Sequence, residues 1–165
     1  MERIVSEPYE EIIEGESLLR FAPGARHEAV CARLHALVAQ SLTSLPVARL
    51  LEPRTVVQLS PGTMVRPDLA VVAAATGKAW LVAEVVDAED HRTDTVVKKN
   101  LYEELNIPRL WMIDPRYDNV EVYHASQYGL VLKQILAGRD VLREGLLPSL
   151  QVTVKDLFGE VKSSG

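Results

Sequence analysis

Cysteine occurs once, as Cys31, in a chain of 165 residues. A single thiol excludes an internal disulfide framework and a cysteine metal cluster, and it fits a reducing compartment. Aromatic residues are scarce too, at 5% of the chain, which argues against a platform built to stack bases. The longest apolar run, LAVVAAA at 69–75, falls far short of the ~20 residues a membrane helix needs. The opening MERIVSEPYEEIIEGE is acidic and has no apolar signal core, so the expectation is a cytoplasmic protein with no membrane contact. Basic residues are not in excess: the net charge is -5. Non-specific nucleic-acid binders usually carry a basic face, so nucleic-acid contact here would need a local basic site or a metal that offsets the charge. Neither a GxxxxGK[ST] phosphate loop nor a GxGxxG turn occurs, and no Ser/His/Asp arrangement emerges from spacing.

What is present suits one domain, residues 1–159, followed by a frayed tail, EVKSSG, at 160–165. A domain of this size buries roughly 70% of its unfolded surface and needs no disulfide staple. YEEIIEGESLLRF alternates around Gly15 and predicts an N-terminal β-hairpin. In PGARHEAVCARLHALVAQSLTSL, the residues Val30, Leu34, Leu37, Val38, Ser41 and Leu45 recur at helical spacing. Strand-like runs follow at 47–53, 55–60, 64–73 (MVRPDLAVVA) and 79–87 (AWLVAEVVD). A second helix is expected from about Thr93 to Leu105, then a buried strand, RLWMID, an antiparallel pair (VEVYHA and YGLVLKQIL), GRDVL, LPSLQVTV and a short helix at VKDLF. Helix, strand block, helix and more strands predict an α/β fold of the α+β kind, with a mixed sheet flanked by helices.

One residue disturbs this pattern. In WLVAEVVDAED (80–90), Glu84 interrupts an apolar strand, and alternation places it on one face with Trp80, Val82 and Val86. A charge there is costly unless it is paired or bound to a cation. Asp68, in RPDLAVV, lies on the preceding run, and the short link from Ala73 to Ala79 predicts a hairpin that sets Asp68 beside Glu84. Two adjacent carboxylates repel unless a cation sits between them, and hard oxygen ligands on rigid strands suit Mg²⁺. Asp94, Val97, Lys98, Leu101 and Leu105 stand at i, i+3, i+4, i+7 and i+11, so Lys98 faces inward and needs an anion, Glu84 or a substrate phosphate. Spacing alone also admits Asp68 as a turn residue, Glu84 facing solvent, and Asp94–Lys98 as an ordinary helix pair.

With these residues in hand, the chain resembles the Uma-type restriction-endonuclease family, a branch of the PD-(D/E)xK nuclease superfamily. The resemblance rests on RPDLAVV, WLVAEVVD, the D-x-x-x-K-x-x-x-Y run of Asp94, Lys98 and Tyr102, NIPRLWMIDP, VEVYH and LLPSLQVTVKDLF. It implies a restriction-endonuclease-like core and a Mg²⁺-dependent endonuclease acting on DNA, with Mn²⁺ as a substitute metal. Asp68 and Glu84 match the metal-binding acids, with the carbonyl of Val85 as a further ligand. Val86 stands where the superfamily lysine falls, and Lys98 matches the helical lysine that replaces it in this branch. Asp94 would support Lys98. His27 matches a position where the branch often has histidine, and its place on the apolar face with Val30 and Leu34 favours a structural role. His35, His91 and His124 show no metal-ligand spacing. The acidic turn Asp87, Ala88, Glu89 and Asp90 departs from the branch's Ser/Pro-rich turn; it would either add metal ligands or repel a phosphate backbone. The alternative is therefore a nuclease fold that only binds nucleic acid or protein, and a purely structural domain is a further one. A homodimer is expected if two strands are cut together.

Overall fold

A computed structural model describes residues 7–86 and 93–159, with the backbone alone at 93–95. The chain opens with β1 (Tyr9–Ile13) and β2 (Glu16–Arg20). Glu14 and Gly15 both take positive φ (51° and 81°), which is the two-residue turn that matches strand twist. Then come α1 (Ala25–Ser41), β3 (Ala48–Leu50), β4 (Val57–Ser60), β5 (Thr63–Val65), β6 (Leu69–Ala73) and β7 (Ala79–Val85). A π-helical turn, Thr93–Lys98, leads into α2 (Lys99–Glu104). The chain continues through β8 (Arg109–Asp114), β9 (Asn119–Ser126), β10 (Gly129–Ala137), β11 (Val141–Glu144), β12 (Leu147–Thr153) and α3 (Val154–Phe158).

Six strands form the main sheet in the order β10-β9-β8-β7-β6-β3. Only β7 and β8 run parallel within it. Parallel neighbours need a crossover, and the π-helical turn with α2 supplies it. A second sheet, β2-β1-β5-β4, carries the N-terminal hairpin, and β11 pairs with β12 alone. The mixed sheet and flanking helices agree with the expected fold class. Among the described residues no helix is long and apolar enough to cross a membrane.

Alternation along β7 divides the core. Leu81, Ala83 and Val85 join Val30, Leu34 and Val38 of α1 in one apolar cluster. Val82 and Val86 point to the other, with Leu101 and Tyr102 of α2 and Ile13 of the hairpin. The main sheet is thus covered by α1 on one face and by α2 and the small sheet on the other.

Three expectations need correction. MVRPDLAVVA is not one strand: it breaks at Arg66–Pro67 into β5 and β6, which belong to different sheets. Pro67 has no N–H to give a ladder, and the Arg66 amide donates instead to Glu11 Oε2 at 2.7 Å. Trp80 does not share the face of Glu84. The β6–β7 register slips between Val71 and Val72, leaving Trp80 as the extra residue, packed with the α1-side cluster. The second helix is not regular, and its π-helical start has more residues per turn than an α-helix. Val97, expected in the core stripe, is consequently exposed, while Lys98 is buried.

Candidate active site

The break at Pro67 puts Asp68 immediately before β6. Its neighbour Leu69 pairs with Ala83 of β7, so Asp68 stands opposite Glu84. The Val85 amide donates to Asp68 Oδ2 at 2.8 Å and locks the carboxylate against β7. Glu84 is buried, so the solvent-facing reading of this residue falls away. Lys98, at the end of the π-helical turn, donates from Nζ to Glu84 Oε1 at 3.0 Å, and the Tyr102 hydroxyl, one turn on, donates to the same oxygen at 2.6 Å. Lys98 is fully enclosed, at 0% exposure.

Glu11 of β1 provides the second anion for Lys98, with Oε2 at 2.8 Å from Nζ. Its Oε1 accepts from Arg20 at 2.8 Å. Arg20 reaches it from β2, where it pairs in register with Tyr9 and so lies diagonal to Glu11. Glu11, Arg20, Asp68, Glu84 and Lys98 are all buried. Burying charges costs several kcal/mol each unless they are paired and hydrogen-bonded, and here each has a charged or hydrogen-bonding neighbour.

The α1 side adds a second group. His27 Nε2 lies 3.3 Å from Asp68 Oδ2 and Nδ1 lies 3.3 Å from Glu28 Oε1. Arg54 clamps both oxygens of Glu28 at 2.9 Å and approaches Asp68 Oδ1 at 3.5 Å. Cys31, one helical turn beyond His27, has Sγ 3.8 Å from His27 Nδ1. His27, Cys31 and Asp68 each offer a donor atom, all within 4.8 Å of one another. His35 holds the Asp68 carbonyl at 2.6 Å.

These contacts set the ionisation. Burial pushes the Asp68 carboxyl up, but the His27 hydrogen bond and charge, the Lys98 charge and the Val85 amide outweigh it and hold the group below the ordinary carboxylate range. Tyr102 is pushed well above the usual phenol value by burial and then by Glu84, so it stays a donor. Burial, followed by Asp68 and Glu28, pushes the Cys31 thiol up. Burial and then the charge of Asp68 also push the Tyr9 phenol up.

The structure therefore brings Asp68, Glu84 and Lys98 together and adds His27 through Asp68. Val85 enters through its amide. The Asp94 side chain, His91 and the acidic residues at 87–90 lie outside the described residues. His124 stands on β9, its ring pushed down in pKa by burial and by Arg109. Lys99 is half-buried, with its ammonium 5.1 Å from the centre of the Tyr123 ring. Sequence reasoning missed Glu11, Arg20 and Arg54, and gave Tyr102 and Cys31 no role in the site. A signal for Glu11 was present: Tyr9, Glu11 and Ile13 alternate on one face of β1, so the acid sits on the apolar side of an amphipathic strand.

Comparison with known proteins gives a family match and a fold match. A family model described as "Uma2: Putative restriction endonuclease" matches residues 6–155. A solved structure from Anabaena variabilis ATCC 29413, described as a putative nuclease belonging to DUF820, shares the fold with a TM-score of 0.76 and 18% identity. That match covers 94% of this chain and 93% of the other. The type IIG restriction endonuclease BpuSI aligns at a TM-score of 0.41 and 10% identity, over 63% of this chain and 12% of that one. No curated protein matches the sequence.

Proposed function

The chain belongs to the Uma2 family, and from that membership and the geometry above we propose that it is a divalent-metal-dependent endonuclease that hydrolyses phosphodiester bonds in DNA. The observation that carries this reading is Asp68 opposite Glu84 on adjoining strands, with the only fully enclosed lysine among the described residues bonded to Glu84.

The donor set fits a hard cation. Three buried carboxylates, Glu11, Asp68 and Glu84, face two buried full cations, Lys98 and Arg20, while Arg54 is clamped on Glu28. Clustered carboxylate oxygens are the hard donors that a divalent cation takes. Asp68 and Glu84 would hold Mg²⁺, or Mn²⁺ in its place, with the Val85 carbonyl as a further ligand. When bound, the ion would supply Lewis-acid polarisation of a phosphoryl oxygen and a more acidic water.

The chain's own residues do the rest. The Val85 amide and His27 fix the Asp68 carboxylate. Tyr102 holds Glu84 Oε1 in place. Lys98 places a positive charge beside Glu84, where it would stabilise charge that develops on the phosphate. Val86 has no such role, because it packs in the apolar cluster under α2, and Lys98 reaches Glu84 from the helix instead. Asp94 would help orient Lys98. One centre per chain cuts one strand at a time, so concerted double-strand cleavage calls for a homodimer.

The test is incubation of plasmid and short duplex DNA with Mg²⁺, with Mn²⁺ and with chelator. Asp68→Ala is expected to abolish metal-dependent cleavage while the circular dichroism of the native chain is kept. Full activity in a clean Asp68→Ala preparation contradicts the proposal. A second reading, a nuclease fold that binds without cutting, is favoured by one feature: protein carboxylates already satisfy Lys98. DNA binding without cleavage under every metal condition is its signature.

A further inference from the structure

From the contacts of the N-terminal hairpin we infer that Glu11 is a positioning residue of the catalytic centre, holding the Lys98 ammonium in line with Glu84. The inference rests on the nuclease reading above. It deepens that reading by making the hairpin part of the active site rather than an appendage to it.

Three observations carry it. First, the Lys98 ammonium has carboxylate oxygens from two directions, Glu84 at 3.0 Å and Glu11 at 2.8 Å. Two such contacts from different sheets restrict where the end of a four-carbon side chain can go. Second, Glu11 is itself fixed. Oε1 is held by Arg20 and Oε2 also accepts the Arg66 amide at 2.7 Å. A carboxylate with both oxygens committed to protein donors is built as a fixed strut. Third, the Arg66 amide that holds Glu11 lies at the break between β5 and β6. The same break that places Asp68 opposite Glu84 therefore also anchors Glu11, so hairpin, metal-binding acid and lysine share one local solution of the backbone.

The hold acts through Lys98, since nothing places Glu11 at the reacting atoms. Its loss should appear in turnover rather than in substrate affinity, because misplacing a catalytic group by about 1 Å can cost about 100-fold in rate. Uniform binding contacts, by contrast, change KM alone.

Three variants test this. Glu11→Gln keeps the shape and removes the charge. The double variant Glu11→Met with Arg20→Met replaces the buried pair by apolar side chains of similar size, a change that buried pairs often tolerate. Glu10→Gln, on the exposed face of the same strand, is the control. The expected result is a fall in kcat of about 10-fold to 100-fold in the first two with KM little changed, and no change in the control. A folded double variant with the kcat of the parent overturns the inference, as does any variant at Glu11 that turns over faster. A second readout is independent of cleavage: the ¹⁵N-labelled lysine ammonium signal of Lys98, protected from exchange in the parent. Its loss in the double variant supports the hold; its persistence overturns it. If the parent cleaves nothing, the nuclease reading fails, and the ammonium signal alone decides whether Glu11 holds Lys98.

Discussion

At the scale of the residue, the centre is a set of charges that neutralise one another in a place where none is stable alone. Lys98 is enclosed completely and bridges two acids from different sheets. Removing one member of such a buried pair typically costs about 3–5 kcal/mol, because the other charge is left behind. Cys31 belongs to the same neighbourhood but behaves differently. Burial and the nearby acids Asp68 and Glu28 push its thiol pKa up, and a thiol held protonated is a poor nucleophile. An aromatic disulfide reagent at pH 8 should therefore label the native chain only as fast as it unfolds, and label the denatured chain at once. Rapid native labelling would show that the α1 face of the centre is open. Glu84 and Lys98 were legible in the sequence because each broke an apolar pattern with a charge. Glu11 was not singled out, since its partners Lys98 and Arg66 lie far along the chain and no spacing rule links a hairpin to a distant helix.

At the scale of the element, small irregularities place the groups. Pro67 splits what reads as one strand and leaves Asp68 immediately before β6. The bulge at Trp80 shifts the early part of β7 without disturbing Glu84, and the π-helical turn ends at Lys98. Periodicity assumes ideal strands and helices, so it merged β5 with β6 and missed the bulge and the π-helical turn. The hairpin turn is a further lever. Gly15 sits at φ 81°, where a side chain is disfavoured. Gly15→Ala should lower stability by about 1 kcal/mol in chemical denaturation and also reduce cleavage, since the turn positions the strand that carries Glu11. A stability loss with full activity would separate the hairpin from the centre.

At the scale of the whole molecule, the mixed sheet is covered on one face by α1 and on the other by α2 and the small sheet, and the carboxylates lie where β6 and β7 meet these layers. The fold class was legible because helix and strand patterns alternate in the order that such a sheet requires. The second sheet was not, because pairing between β1 and β5 joins segments some fifty residues apart, at Ile12 and Met64. The central claim is that this junction binds one divalent ion between Asp68 and Glu84. Crystals of the chain soaked in Mn²⁺ and measured at the manganese absorption edge test it directly. The account predicts one anomalous peak within coordination distance, about 2.0–2.3 Å, of an oxygen from each of Asp68 and Glu84, and none in Asp68→Ala. A peak on His27 and Cys31 with Glu84 uninvolved, or no peak in well-diffracting soaked crystals, would contradict it.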